Sequence, residues 1–324
     1  MNELVSIIIP TCCDAPRADA LRAAVRSCLA QTHRPIEVVV AANGDRVDER
    51  LLAELAASPI IRTSRVPNAS QRDAMVAGRK VAAGAFFCFL DDDDELLPDS
   101  IEVRLRALRE RPGVEAVTGN GVFRCALRDR EVIDPEVFSP DDLFGSLLRQ
   151  NWNASCGTLF RSSAFGSEFF DEDYRHARYG AGRWLPQGVA DRGFSWTFAT
   201  AKLSLHHSVE VIRQPTYVVH VTEGSTSQSL GAVMRAVAIW YAILGLRPPR
   251  RYLGALNEKL AKAHHRVSAV SLSAGDLRSA WQHHLASLKQ SPRALAYLTY
   301  TRHLVTPAAV AVARPTPARA SGVP

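Results

Sequence analysis

The sequence predicts an α/β protein in which a sheet is covered by helices and followed by a helical appendage. Over the first hundred residues, short apolar runs alternate with segments of helical periodicity, which is the pattern of strand–helix–strand units. From Leu230 onward the composition changes to Ala, Leu, Arg and His in helical patterns. At 324 residues the chain is long enough for a large domain with a smaller second part.

Four strands and three helices are predicted in the first hundred residues. The strands are short apolar runs bounded by Pro, Gly or polar residues, and the helices carry apolar side chains three and four positions apart. The strands cover residues 5–9, 36–41, 60–66 and 86–90, and the helices cover residues 18–31, 48–57 and 71–83. In open α/β sheets, ligands bind outside the carboxyl ends of the strands, so a site is expected there.

The rest of the chain is predicted to divide into three parts. A helix over residues 99–111 and an extended segment over 114–125 lead into turn-rich sequence, which continues to about residue 193. Helices are then predicted at 232–244, 251–272 and 276–288, and the Pro-, Ala- and Arg-rich end at 307–324 is predicted to be disordered. We therefore expect an α/β domain over residues 1–228 (halves 1–98 and 99–228), a helical region over 229–304 and a tail over 305–324.

Five consecutive carboxylates, Asp91 to Glu95, begin where the fourth predicted strand ends. Hard divalent cations such as Mg²⁺ and Mn²⁺ prefer oxygen ligands and bridge substrate phosphates through one or two carboxylates. The run therefore indicates a site for a metal-bound diphosphate. The alternative interpretation is an acidic helix N-terminus, because Asp and Glu stabilise the first turn of a following helix. An EF-hand is excluded, since its ligand and glycine spacing is absent.

Composition limits the class of protein and its compartment. The formal net charge is +6, yet the sequence shows no basic stripe interleaved with aromatic residues, which argues against a nucleic-acid partner. The six cysteines show no paired zinc spacing, which predicts a reducing compartment. With neither a signal peptide nor a membrane-spanning run in the sequence, we expect a cytoplasmic protein, soluble or attached peripherally to the inner face of the membrane.

A series of short motifs occurs in order along the first 225 or so residues. The motifs are VSIIIPT at 5–11, SCLAQT at 27–32, EVVV at 37–40 with Asn43-Gly44, NASQR at 68–72, FLDDDDE at 89–95, Phe160-Arg161 and FDE at 170–172. In this order they resemble the family 2 glycosyltransferases of the GT-A fold, in the nucleotide-diphospho-sugar transferase superfamily. The resemblance implies a Rossmann-like mixed sheet sandwiched by helices.

The resemblance also implies roles for individual residues. The nucleotide sugar would be bound by Pro10, Thr11, Asn43, Arg72, Asp91 and Asp92. Thr11 and Asn43 would contact the base, where the Asn43 amide can hydrogen-bond a pyrimidine edge. Asp93 would ligate Mg²⁺ or Mn²⁺, and His220 would ligate the metal or touch the diphosphate. The alternatives are turn-forming roles for Thr11 and Asn43, a surface cation at Arg72 and a structural histidine at position 220.

Asp191 is the general base that the resemblance implies, because it lies just before the aromatic segment Phe194-Ser195-Trp196. A carboxylate opposite the leaving diphosphate can accept the proton of the attacking hydroxyl. The alternative role for Asp191 is the N-cap of the following helix. The chain departs from the family pattern at Ala42, Asp73 and Ala190, which stand where the family usually has Asp, Asn and Glu, and an insertion precedes Asp191.

The implied activity is inverting transfer of a sugar from a UDP- or dTDP-sugar to an unidentified hydroxyl acceptor, in glycan, cell-surface polysaccharide or glycoconjugate biosynthesis. Two other enzyme classes are disfavoured because the sequence lacks their motifs. A nucleotidyltransferase would need a Gly-rich loop in place of residues 11–16, and a processive synthase would need a Gln-x-x-Arg-Trp motif and membrane helices. A catalytically inactive nucleotide- or carbohydrate-binding protein on the same fold stays an alternative, because of Ala42 and Ala190. The C-terminal helices are expected to pair subunits in a homodimer, to rest on a membrane surface or to shape the acceptor site.

Overall fold

The computed structural model describes residues 3–124, 129–171, 194–220 and 230–305. These residues fall into two compact units, one containing the sheet and its helices up to residue 220, the other containing the helices from residue 230 onward. Of the predicted tail, residues 305–324, only Val305 is among the described residues.

The first four strands are parallel and lie in the order β3-β2-β1-β4. Their bounds are β1 Val5–Thr11, β2 Ile36–Asn43, β3 Ile61–Val66 and β4 Phe86–Phe89, and the intervening helices are α1 Ala18–Leu29, α2 Glu49–Ala56 and α3 Gln71–Val81. Every residue of β1, β2 and β4 is buried. Strands that are covered on both faces have continuous apolar sequences. The predicted ends of β1, β2 and β4 therefore lie within about two residues of the observed ends.

The sheet continues from β4 in the order β8-β6-β9-β5, with β7 paired to β6. These elements are β5 Glu95–Leu96, α4 Ser100–Glu110, β6 Ala116–Arg124, β7 Arg130–Glu131, α5 Leu143–Arg149, β8 Thr158–Arg161, α6 Glu168–Asp171, α7 Trp196–His206 and β9 Val209–His220. Strand β8 runs antiparallel to both of its neighbours, and β5 runs antiparallel to β9. The mixed sheet and flanking helices implied by the resemblance are thus confirmed, and the segment expected to be irregular contains regular elements.

Alternate residues of β1 face opposite sides of the sheet and enter different cores. Ile7 and Ile9 belong to the cluster that includes Leu21 of α1, whereas Ile8 packs with Met75 of α3. Gly78 of α3 lies directly against Ile8, where an added Cβ would sit 2.5 Å from a methyl group. The absence of a side chain there lets α3 approach the sheet closely.

Arg104 of α4 is fully buried and ties this helix to the chain just before β8. Its guanidinium donates hydrogen bonds to the backbone oxygens of Ser100, Cys156 and Gly157 at 3.1–3.2 Å and to Ser100 Oγ at 2.7 Å. Burial lowers the pKa of Arg104. The planar fork of donors suits such a cluster of neutral oxygens.

Among the described residues, the second unit contains helices α8 Leu230–Gly245, α9 Leu253–Ser273, α10 Leu277–Gln290 and α11 Thr301–Val305, with 3-10 segments Arg250–Tyr252 and Pro292–Tyr300. The first three agree with the predicted helices. Gly275, with φ +80°, makes the turn between α9 and α10, and the Asp276 side chain caps α10 by accepting a hydrogen bond from the Ser279 amide. Among the described helices, none is long and apolar enough to cross a membrane.

A chain of hydrogen bonds in the second unit links Gln290, Tyr241 and two buried histidines, His264 and His283. Gln290 Nε2 donates to Tyr241 Oη (2.7 Å), Tyr241 Oη lies 3.2 Å from His264 Nε2, and His264 Nδ1 lies 2.9 Å from His283 Nδ1. Of the two facing Nδ1 atoms, one must donate and the other accept, so the accepting imidazole is neutral. Burial, the largest cause, together with the neighbouring His283, lowers the pKa of His264 from 6.5 to about 3, and burial lowers the pKa of His283 to about 4.

We expect Arg104→Met to lower the free energy of unfolding by at least about 2 kcal/mol, because buried oxygens lose their donors. The exposed Arg106 on the same helix provides the matched control, and Arg106→Met should change stability by no more than about 0.5 kcal/mol. Urea denaturation measures both. Equal losses in the two variants would contradict the anchoring role of Arg104.

We also expect the second unit to lose stability in acid. In the unfolded chain both histidines take up protons as the pH falls below 6.5, whereas the folded unit resists protonation down to about pH 4. The free energy of opening should therefore fall between pH 6.5 and about 4, by up to about 1.4 kcal/mol per pH unit for each ring. Hydrogen exchange of α9 and α10 amides in the intact chain measures it. His283→Leu should flatten the dependence, and the exposed His303→Gln should not.

Candidate functional site

The ends of three neighbouring strands meet at one edge of the sheet. Thr11 ends β1, Asn43 ends β2, and the acidic run follows β4. Asn43 Nδ2 donates to the Thr11 backbone oxygen at 2.8 Å, and Thr11 Oγ1 donates to Asp92 Oδ2 at 2.5 Å. Three residues predicted from the sequence to lie together are thus joined by hydrogen bonds.

Asn43 and its neighbour Gly44 make a tight turn at the end of β2. Gly44 has φ +87°, its amide donates to the Val66 oxygen at 3.1 Å, and an added Cβ would lie 3.2 Å from the Cβ of Ala69. The left-handed conformation and the close approach both favour glycine. Asn43 is buried, with its amide nitrogen already bound to the backbone, so contact with a base stays a prediction for this side chain.

Arg17 is a site residue that sequence reasoning missed. It ends the 3-10 turn Ala15–Arg17 after β1. Its Nε donates to both oxygens of Asp92 at 3.0 and 3.1 Å, and its Nη2 contacts Asp92 again and lies 3.1 Å from Asp93 Oδ2. The hydrogen bond to Asp92 is the main cause that raises the pKa of Arg17. A cation therefore lies between the second and third carboxylates of the run.

Asp91 is held from two other parts of the first unit. Ser155 Oγ donates to its Oδ2 at 2.6 Å, and Gln71 Nε2 donates to its Oδ1 at 3.3 Å. Burial raises the pKa of Asp91 to about 6, against the opposing effect of the Ser155 hydrogen bond. Ser155, like Arg17, was not predicted to belong to the site, and it lies in the loop that Arg104 anchors.

Asp94 and Glu95 connect the run to the end of β9. The His220 amide donates to Asp94 Oδ1 at 3.1 Å, and Cys156 Sγ donates to Asp94 Oδ2 at 3.2 Å. Burial, followed by the nearby charge of Asp91, raises the pKa of Asp94 to about 8. The ring of His220 pairs with Glu95, with Nε2 2.9 Å from Oε1. His220 thus lies beside the acidic run, and its contact with a metal stays a prediction.

The acidic run offers carboxylate oxygens, which are the ligands that Mg²⁺ and Mn²⁺ prefer. In the part of the chain that the structure describes, no group of three His, Cys, Asp or Glu side chains is arranged to hold a metal by itself. Mg²⁺ usually binds through one or two carboxylates plus substrate phosphates, so such a group is not needed. Asp93 fits this mode, because its side chain is 23% exposed whereas that of Asp92 is 8% exposed and enclosed by Thr11 and Arg17.

Three predicted residues remain, Pro10, Arg72 and Asp191, and Pro10 is buried in β1. Arg72 lies near the start of α3, and its Nε and Nη2 both donate to Asp73 Oδ1 at 3.2 Å. Asp191 lies outside the described residues, and so does Ala190. Ala42 is fully buried in β2 opposite Thr11, so an apolar residue stands where the family usually has a carboxylate.

Comparison with known proteins identifies relatives of this chain. The family model described as glycosyl transferase family 2 matches residues 6–173. An uncharacterized glycosyltransferase of Rickettsia bellii (strain RML369-C) is 32% identical over 139 residues, which is 40% of this chain but only 20% of that protein. S. aureus TarS 1–349 superposes with a TM-score of 0.61 at 14% identity over 95% of this chain and 88% of that one. Its complex with UDP-GlcNAc superposes at 0.53 with 13% identity, over 92% of each chain.

We expect Thr11→Val to lower the free energy of unfolding by about 1–3 kcal/mol, because the hydroxyl serves two buried partners. It donates to Asp92 and accepts from the Cys13 amide at 2.8 Å, so in the valine variant the Cys13 amide loses this acceptor and Asp92 keeps only its contacts with Arg17. Thr11→Ser keeps the hydroxyl and is the matched control. Urea denaturation should rank wild type, Ser and Val in that order, and a valine variant as stable as the serine variant would contradict this account.

Proposed function

We propose that this chain, which belongs to glycosyl transferase family 2, transfers a sugar from a nucleotide diphosphate sugar to a hydroxyl acceptor with inversion at the anomeric carbon. One observation carries the proposal: the acidic run after β4 is hydrogen-bonded through Thr11 to the end of β1 and through Asn43 to the end of β2. This edge is where α/β sheets bind nucleotides. We assign the activity to a domain over residues 1–228.

The nucleotide would lie along the ends of β1 and β2, near Pro10, Thr11, Asn43 and Arg72. Support comes from their position at the carboxyl edge of the sheet, beside carboxylates that suit a metal-bound diphosphate. We propose a UDP- or dTDP-sugar as donor. UDP-GlcNAc, which is bound in one of the TarS structures, is the first donor to test.

The proposed reaction is a single displacement. The acceptor oxygen forms a bond to the anomeric carbon as the bond from that carbon to the diphosphate oxygen breaks, and the hydroxyl proton passes to the Asp191 carboxylate. Attack from the side opposite the leaving group inverts the configuration. A bound Mg²⁺ or Mn²⁺ would supply positive charge to the leaving diphosphate. Asp93 is the proposed protein ligand for it, and Asp91 and Asp92 shape the pocket around the ribose and the metal.

A catalytically inactive nucleotide- or carbohydrate-binding protein is the second candidate. The observation in its favour is Ala42, which is buried at a position where the family usually presents a carboxylate to the nucleotide. Binding without turnover would be the property of such a protein.

We propose that the acceptor belongs to glycan, cell-surface polysaccharide or glycoconjugate biosynthesis, and that the C-terminal helices pair two subunits or contact a membrane surface.

The proposal predicts release of nucleotide diphosphate from one donor among UDP-, dTDP- and GDP-sugars with Mn²⁺ or Mg²⁺. Asp93→Ala should reduce this hydrolysis by a factor of about 10² or more, because the leaving group loses its electrostatic stabilisation. Asp191→Ala should reduce acceptor-dependent transfer. Asp19→Ala, at a fully exposed position on α1, is the matched control and should keep wild-type turnover.

The outcomes separate the two candidates. Metal-dependent turnover of one donor that is lost in Asp93→Ala establishes the transferase. Nucleotide affinity with no turnover from any donor, in the presence of an acceptor panel of lipid-linked glycans, oligosaccharides and small hydroxyl compounds, would favour the binding protein.

A further inference from the structure

We propose that the guanidinium of Arg17 competes with the divalent cation for the Asp93 carboxylate and thereby sets the affinity of the protein for the metal. The inference rests on the proposed function, because it concerns the metal assigned there to Asp93. Neither the motif series nor the family match gives Arg17 a role; the observation is its position between two carboxylates of the acidic run.

Arg17 is held in place by Asp92, independently of Asp93. The Asp92 carboxylate accepts hydrogen bonds from Arg17 Nε and Nη2 and from the Thr11 hydroxyl. The side chain of Asp92 is only 8% exposed. A buried carboxylate left without its cation would be costly, so this contact should persist. The charge of Arg17 therefore stays beside Asp93 even when the 3.1 Å contact with Asp93 is broken.

Asp93 is the exchangeable partner of Arg17. Its side chain is 23% exposed and that of Arg17 is 39% exposed, so both are accessible from solvent. A divalent cation bound to Asp93 would displace the guanidinium from one carboxylate oxygen and would lie within a few ångströms of a fixed positive charge. Metal binding therefore breaks the ion pair between Arg17 and Asp93 and places the metal near a positive charge that repels it. Both effects weaken binding of the metal.

The competition also couples the metal to the donor. A nucleotide diphosphate brings several negative charges into the same space, and these can accept hydrogen bonds from the guanidinium while they ligate the metal. The metal should then bind weakly to the protein alone and more tightly together with the nucleotide. Removing the charge of Arg17 should strengthen binding of the metal alone and so shrink this difference.

The test measures Mn²⁺ binding to the full chain without nucleotide, through the electron paramagnetic resonance signal of free Mn²⁺. Arg17→Gln should bind Mn²⁺ about tenfold or more tightly than wild type, because a unit charge near the ion is removed. Arg17→Lys keeps the charge and should stay within about threefold of wild type. Arg22→Gln, on the exposed face of α1 where Arg22 pairs with Glu54, is the matched control and should leave the affinity unchanged.

A second pair of variants guards against misfolding, since Arg17→Gln leaves Asp92 buried without its cation. Asp92→Asn removes that unpaired charge, and Arg17→Gln in this background should again tighten Mn²⁺ binding relative to Asp92→Asn alone. Circular dichroism verifies that each variant is folded. Unchanged or weaker Mn²⁺ binding in either folded Arg17→Gln variant, each compared with its own background, would overturn the inference.

Failure of this inference and failure of the proposed function give different results. Equal Mn²⁺ affinity in wild type and Arg17→Gln, with metal-dependent donor turnover intact, would refute the competition and leave the transferase standing. Tighter Mn²⁺ binding in Arg17→Gln, without turnover of any donor or acceptor pair, would support the competition and count against the transferase.

Discussion

The carboxylate of Asp92 joins the chain that follows β4 to the chain that ends β1. A buried charge is tolerated only when it is paired and hydrogen-bonded, and Asp92 obtains both from the chain after β1, through the Thr11 hydroxyl and the Arg17 guanidinium. These contacts hold the start of the acidic run against the carboxyl edge of the sheet. Asp91, Asp93 and Asp94 are consecutive with Asp92 in the chain. Where Asp92 is held therefore limits where the other three carboxylates can lie.

The acidic run is therefore part of the architecture as well as part of the site. Asp94 accepts hydrogen bonds from the His220 amide and the Cys156 thiol, which joins the end of β4 to the end of β9 and to the loop before β8. Asp91 is enclosed by Ser155 and Gln71, while the carboxylate of Asp93 contacts Arg17 and is 23% exposed. The four aspartates thus include members that hold the two halves of the sheet together and one that is partly accessible from solvent.

Sequence alone located the elements whose burial leaves a local pattern. Strands β1, β2 and β4 are covered on both faces and read as apolar runs, and the motif residues Thr11, Asn43 and Asp92 lie together as predicted. Strand β8 has only four residues, β9 contains Pro215 and charged side chains, and α7 is buried over six consecutive positions, so none shows a clear period. Arg17 and Ser155 escaped notice because their carboxylate partners lie 75 and 64 residues away in sequence.

The placement of β8 between β4 and β6 has a consequence for synthesis on the ribosome. The free edge of β4 finds its partner only when residues 158–161 have emerged, and β6 finds its other neighbour only with β9, at residues 209–220. A nascent chain that already holds the four parallel strands therefore presents an apolar, unpaired edge while some seventy further residues are translated, at a rate of about 5–20 residues per second. For those seconds the unpaired edge of the growing polypeptide is open to strand pairing with other chains.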